Sequence, residues 1–122
     1  MKRTIEEWTA EKLYANRDKI QYPDFQREPT VWSEKKRQLL IDSMLIGLDI
    51  PKIYLFKHED ADYYDCIDGQ QRIVSVIQFF DGQLTLPDGR NWDMLSAGEQ
   101  QQISNYKFTI AVVTEADEED LR

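Results

Sequence analysis

The strongest periodic signal in the chain begins at Ser33. Ile41, Met44, Leu45 and Leu48 fall at i, i+3, i+4 and i+7, the spacing that lines one face of an α-helix. Ser33 suits an N-cap, Glu34 complements the positive end of the helix dipole, and Gly47 suits the exit. Together they predict a helix over about residues 33–47 whose apolar face packs on a sheet. A second such face, Ile73, Val76, Ile77 and Phe80, predicts a helix from about residue 70 to the stop at Asp81-Gly82. Between the two, residues 53–56 and 63–67 are short β-rich runs on either side of polar residues 57–62, the pattern of a β-hairpin.

The remaining signals are weaker. Residues 4–8 alternate, and Thr9 suits the cap of a short helix through Leu13 and Tyr14. Residues 19–23 read as a short strand stopped by Pro23, followed by an irregular loop over 24–29. Residues 83–87 read as a short strand, Asp88-Gly89 as a turn, 92–106 as a loop with a short helix, and 107–113 as a last β-rich run. The sum is an α+β domain in which a small mixed sheet packs with two main amphipathic helices. Trp8, Trp32 and Trp92 are expected to fill one small core.

Composition narrows the class. At 122 residues with 41% apolar content, the chain suits one domain over 1–122 and leaves no room for two independent cores. Its longest apolar run is about four residues, against roughly 18 for a membrane-spanning helix. No apolar leader follows Met1, and a lone cysteine, Cys66, cannot form an internal disulfide, so a reducing cytoplasm is the expected compartment. Cys66 reads as a small buried hydrophobe.

The net charge is −8, which argues against a generic polyanion binder. The acidity belongs to the second half. Residues 1–57 hold 11 Lys/Arg and 9 Asp/Glu, whereas residues 58–122 hold 4 and 14. Five of those acids lie in the last eight residues, a run that reads as a solvated tail. One histidine, His58, and one cysteine cannot build a structural or catalytic zinc site. His58 sits in a polar stretch that reads as a hairpin tip, so it is expected to be an exposed turn histidine and no triad member.

The segment with chemical promise is Asp68-Gly69-Gln70-Gln71-Arg72, which joins a strand end to a helix start. At such a junction the helix N-terminus attracts anions. Gly69 permits a positive φ or the close approach of a ligand. Arg72 can set its guanidinium against phosphate oxygens, and Gln70 and Gln71 can donate amide hydrogen bonds. Asp68 could hold magnesium, or simply cap the helix and orient the arginine. Gln26-Arg27 forms a second polar element in the loop before the first long helix, where Arg27 could equally pair with Glu28 or Glu34. Lys35-Lys36-Arg37 is a local basic patch, readable as a solvated helix face or as a phosphate-backbone contact.

Five segments then stand in a recognisable order: Pro23-Asp24-Phe25-Gln26-Arg27, Val31-Trp32, residues 40–47, residues 50–55, and Ile67-Asp68-Gly69-Gln70-Gln71-Arg72-Ile73. In this order, over roughly residues 4–120, the chain resembles the DGQQR-motif N-terminal domain of GmrSD-type, modification-dependent restriction nucleases. That family in turn resembles the ParB/sulfiredoxin fold, whose arginine motif at a strand-to-helix junction binds nucleotide phosphates. The resemblance implies a regulatory domain that binds and hydrolyses a nucleoside triphosphate, possibly with Mg2+, in a bacterial DNA-defence nuclease. Asp68, Gly69, Gln70, Gln71 and Arg72 fall on its signature, with Asp68 and Arg72 the candidates for catalysis, and Gln26 and Arg27 fall on its upstream element. Glutamines replace the sulfiredoxin cysteine, so sulfinic-acid reduction is not expected.

The resemblance further implies an N-terminal piece of a longer protein, partnered by a His-Asn-His nuclease domain or a partner subunit. One histidine leaves DNA cutting outside this chain. The alternative function is a non-enzymatic, ParB-like DNA-binding or domain-interaction module that uses Arg27, Lys35, Lys36 and Arg37.

Overall fold

The structure, a computed structural model, describes residues 2–23 and 31–115. Its elements in chain order are β1 (Lys2–Thr9), α1 (Ala10–Ala15), β2 (Ile20–Gln21), α2 (Glu34–Ile46), β3 (Ile53–Lys57), β4 (Tyr64–Asp68), α3 (Gln70–Phe80), α4 (Ala97–Ser104) and β5 (Lys107–Thr114). Single turns of 3-10 helix lie at Arg17–Lys19 and Trp92–Met94. This is the expected α+β architecture.

The five strands form one mixed sheet in the order β1-β5-β3-β4-β2. β1 runs antiparallel to β5 from Lys2↔Thr114 to Thr9↔Lys107. β5 is parallel to β3, β3 antiparallel to β4, and β4 parallel to β2. Side chains alternate across the pleat, and one face takes Trp8, Phe108, Ile110, Val112, Ile53, Leu55 and Cys66 into the core. Residues of all four helices, among them Leu13, Ile41, Met44, Ile73, Val76, Phe79 and Ile103, join the same cluster. The helices therefore form a single layer over one face of the sheet. Each fully buried aliphatic or aromatic side chain in this interface contributes about 1.5–3 kcal/mol.

Local chemistry sets the helix limits. Thr9, Ser33 and Ser96 accept the first-turn amides of α1, α2 and α4. α2 ends at Gly47, at φ +81°, with Leu48 N–H donating to Ser43 O and Gly47 N–H to Met44 O, the paired closure of a Schellman motif. α3 closes in the same way through Gly82 and Gln83. Both helices match the expected spans to within a residue or two.

Several expectations need correction. Leu48 lies beyond that closure and is exposed, while Leu40 joins Ile41 and Met44 in the buried face of α2. Residues 83–87 form no strand. Leu84 and Leu86 are buried, but Thr85 Oγ1 accepts from Gln38 of α2 at 2.9 Å, and a turn closes with Leu86 N–H on Arg90 O, so the segment packs on helix instead of pairing with a strand. Trp8 alone of the tryptophans is fully buried; Trp32 and Trp92 pack against the core half-buried. His58 is no exposed tip. It is half-buried, its Nε2 lies 2.6 Å from Asp65 Oδ2, and its ring packs against Phe56 and Tyr63.

Candidate functional site

The site forms where β4 gives way to α3. Gly69 alone separates them, at φ +113°, and Ile73 N–H donates to its carbonyl at 3.0 Å, so the helical ladder starts on this residue. A Cβ here would come within 3.0 Å of Ile53 Cγ1, 3.2 Å of Ile53 Cγ2 and 3.3 Å of Arg72 Nη2. Glycine is thus required by both backbone conformation and space. Gly69 also brings no side chain to cap α3, whose first turn contains no acid, in contrast to the hydroxyl-capped starts of the other three helices. The positive end of the α3 dipole is offset by no side chain of its own first turn.

Arg72 stands in that first turn with its side chain only 12% exposed. Its Nη2 donates to Lys52 O at 2.9 Å and reaches Asp68 Oδ2 at 3.5 Å, the outer limit of a hydrogen bond. Its Nε is buried and has no partner among the described residues. Buried donors are ordinarily satisfied, and leaving one unpaired costs about 1–3 kcal/mol. Asp68 keeps a 55% exposed carboxylate at the mouth of the site.

The two glutamines diverge. Gln70 is half-buried at the helix start. Gln71 is 6% exposed, and its Oε1 accepts the Trp32 backbone N–H at 3.0 Å. Its backbone carbonyl also accepts from Ser75 Oγ at 2.7 Å. The segment entering α2 is thereby tied to the first turn of α3.

Tyr22 was not among the sequence candidates. The parallel register Ile20↔Tyr64 and Gln21↔Asp65 carries it to the level of Cys66, at the end of the sheet where β4 meets Gly69. Its hydroxyl is buried without a partner among the described residues, and burial, with Cys66 adding to it, lifts the phenol well above its ordinary pKa. A tyrosine before Pro23 carries no chemical signal by itself; the strand pairing supplies it.

Gln26 and Arg27 lie outside the described residues. The described chain leaves at Pro23, next to Tyr22, and re-enters at Val31, next to the Trp32 amide on Gln71. Lys35, Lys36 and Arg37 do not share one environment. Lys35 is exposed, Lys36 holds its Nζ 4.6 Å from the Trp32 ring centroid, and Arg37 is half-buried with an Nε that has no partner among the described residues. Among the described residues no group of three or more His, Cys, Asp or Glu could hold a metal. Asp68 alone fits a magnesium ion bound mainly through phosphate and water, the common arrangement for that ion. Among the described residues, no helix is long and apolar enough to cross a membrane.

Residues 10–121 match the family model described as the GmrSD restriction endonuclease, N-terminal domain. No curated protein and no solved structure matches the chain. The matched span contains the whole β4–α3 junction, the Lys52 carbonyl beneath Arg72, and Tyr22. By that match the chain belongs to the family of N-terminal domains of GmrSD restriction endonucleases.

Proposed function

We propose that the β4–α3 junction binds the phosphates of a nucleoside triphosphate, and that this domain regulates a DNA-defence nuclease through that binding and through hydrolysis. The observation that carries the reading is Arg72: a guanidinium held by Lys52 O at the head of a helix without a side-chain cap, with a buried Nε that has no partner among the described residues. A phosphate oxygen supplies the acceptor this donor lacks, and the helix dipole favours its charge. Gln70 stands beside it to donate to the same oxygens. The family resemblance adds Gln26 and Arg27 as a second arm, in the segment that joins Pro23 to Val31.

Asp68, exposed and only loosely engaged by Arg72, is free to share a magnesium ion with the phosphates or to orient a water. Magnesium would neutralise charge on the phosphates as it develops. Cutting of DNA belongs to a His-Asn-His partner domain or subunit. The alternative DNA-binding reading through Lys35, Lys36 and Arg37 is weakened by their separation, since Arg37 is half-buried and Lys36 lies over Trp32.

Calorimetric titration with ATP, GTP, CTP and UTP, with and without magnesium, tests the proposal. One nucleotide should bind saturably, and Arg72→Ala should weaken it by about tenfold or more, since charge-assisted bonds contribute about 1.5–3 kcal/mol each. Arg72→Ala also frees Lys52 O and should lower stability, so Arg72→Lys, which retains a donor, serves as the folded control and should still bind weakly. Silence from all four nucleotides on a cooperatively melting domain, or binding unchanged in Arg72→Ala, would refute the site.

A further inference from the structure

β1 forms one margin of the sheet. Among the described residues it pairs only with β5, so its second edge is open along eight residues. Such an edge is a template for another strand. Its phase follows from Ala10 N–H, which donates to Tyr106 O at 2.8 Å in continuation of the β1–β5 register. Backbone groups alternate sides along an antiparallel strand, so the even residues of β1 bond to β5. The N–H and C=O of Arg3, Ile5 and Glu7 therefore point outward.

The side chains of the same three residues share the face opposite Trp8. All three are exposed, Ile5 to 53%. Neither Arg3 nor Glu7 has an ion-pair partner among the described residues. Four residues of strand set them about 13 Å apart, too far to pair with each other.

We infer that this edge receives a second copy of the chain, the two β1 strands pairing antiparallel about a two-fold axis at Ile5. A two-fold axis normal to the sheet preserves faces, so only residues on the same face can meet. Centred on Ile5, the pairing sets Ile5 against Ile5 of the second copy, and Arg3 against its Glu7, twice over. Every outward-facing backbone group from Arg3 to Glu7 then gains a partner. Centred on Thr4 or Glu6, it would set Ile5 against a charge and leave Arg3 and Glu7 unmatched. Charge complementarity thus selects both the occupant and the register.

Sedimentation velocity on the 122-residue chain over a concentration series tests the inference. The wild type should show a monomer–dimer equilibrium. Arg3→Glu and Glu7→Arg should each raise the dissociation constant by about tenfold or more, because each turns two attractive pairs repulsive. Mixed in equal amounts, these two variants should associate again, since the two reversed charges meet each other and the two retained charges meet each other, both pairs being of opposite sign. A wild type that stays monomeric to millimolar concentration, or variants that fail to associate on mixing, would overturn it.

Discussion

α3 and α4 both begin beside an arginine, and the two arginines are used in opposite ways. At the start of α4, Arg90 donates Nε to Asp88 Oδ2 at 2.9 Å and Nη1 to both Glu99 oxygens at 2.9 and 3.0 Å. Glu99 also accepts Ser96 N–H and Ser96 Oγ accepts Glu99 N–H, a complete capping box. At the start of α3 there is no hydroxyl cap, the acid lies 3.5 Å from the arginine, and the Arg72 Nε has no partner among the described residues. One junction spends its donors internally and stabilises the fold. The other keeps donor capacity and positive potential in reserve, which is what a ligand site requires.

The widest test of this contrast is Gly69→Ala. The left-handed conformation and the 3.0 Å approach to Ile53 together should cost about 2–4 kcal/mol, read as a lower urea midpoint. An unchanged midpoint would mean that the junction relaxes freely and holds nothing in place. Ser96→Ala at the satisfied junction should cost less, about 1 kcal/mol, with no effect on nucleotide titration. If Ser96→Ala altered nucleotide binding, the division between the two helix starts would fail.

The smallest effect concerns pH. Glu99 is held below the ordinary carboxylate range by the Ser96 N–H first and by Arg90 next; Asp88 is held low chiefly by the Arg90 backbone N–H. For carboxylates depressed in the folded state, the added stability is present above the unfolded pKa near about 4 and is lost as pH falls through the lower folded values. The wild-type melting temperature should therefore exceed that of Arg90→Met at neutral pH, and the two should converge in acid. Parallel pH profiles would count against the network.

Where a structural signal was local, the sequence carried it. Ser33, Gly47 and Gly82 mark helix ends because capping involves neighbours within one turn. Gly69 and Arg72 were legible for the same reason, lying at a strand-to-helix junction. The partners of Arg72 and the placement of Tyr22 were not. Lys52 O lies 20 positions upstream, and Tyr22 is brought to the level of Cys66 by parallel pairing with a strand more than 40 residues away. Residues 83–87 misled because alternating Leu84, Thr85 and Leu86 announces burial on one side without saying whether helix or strand lies there.

The β1–β5 ladder, from Lys2↔Thr114 to Thr9↔Lys107, also sets a timetable for synthesis. β1 is translated roughly 100 residues before the strand that completes it, a wait of about 5–20 s at ordinary elongation rates. Throughout that interval it has no native strand partner, and its four charges, Lys2, Arg3, Glu6 and Glu7, keep it hydrated and discourage mispairing. β5 lies between β1 and β3, so its arrival closes both halves of the sheet in one step. The nascent domain commits to its fold late, when the last strand is made.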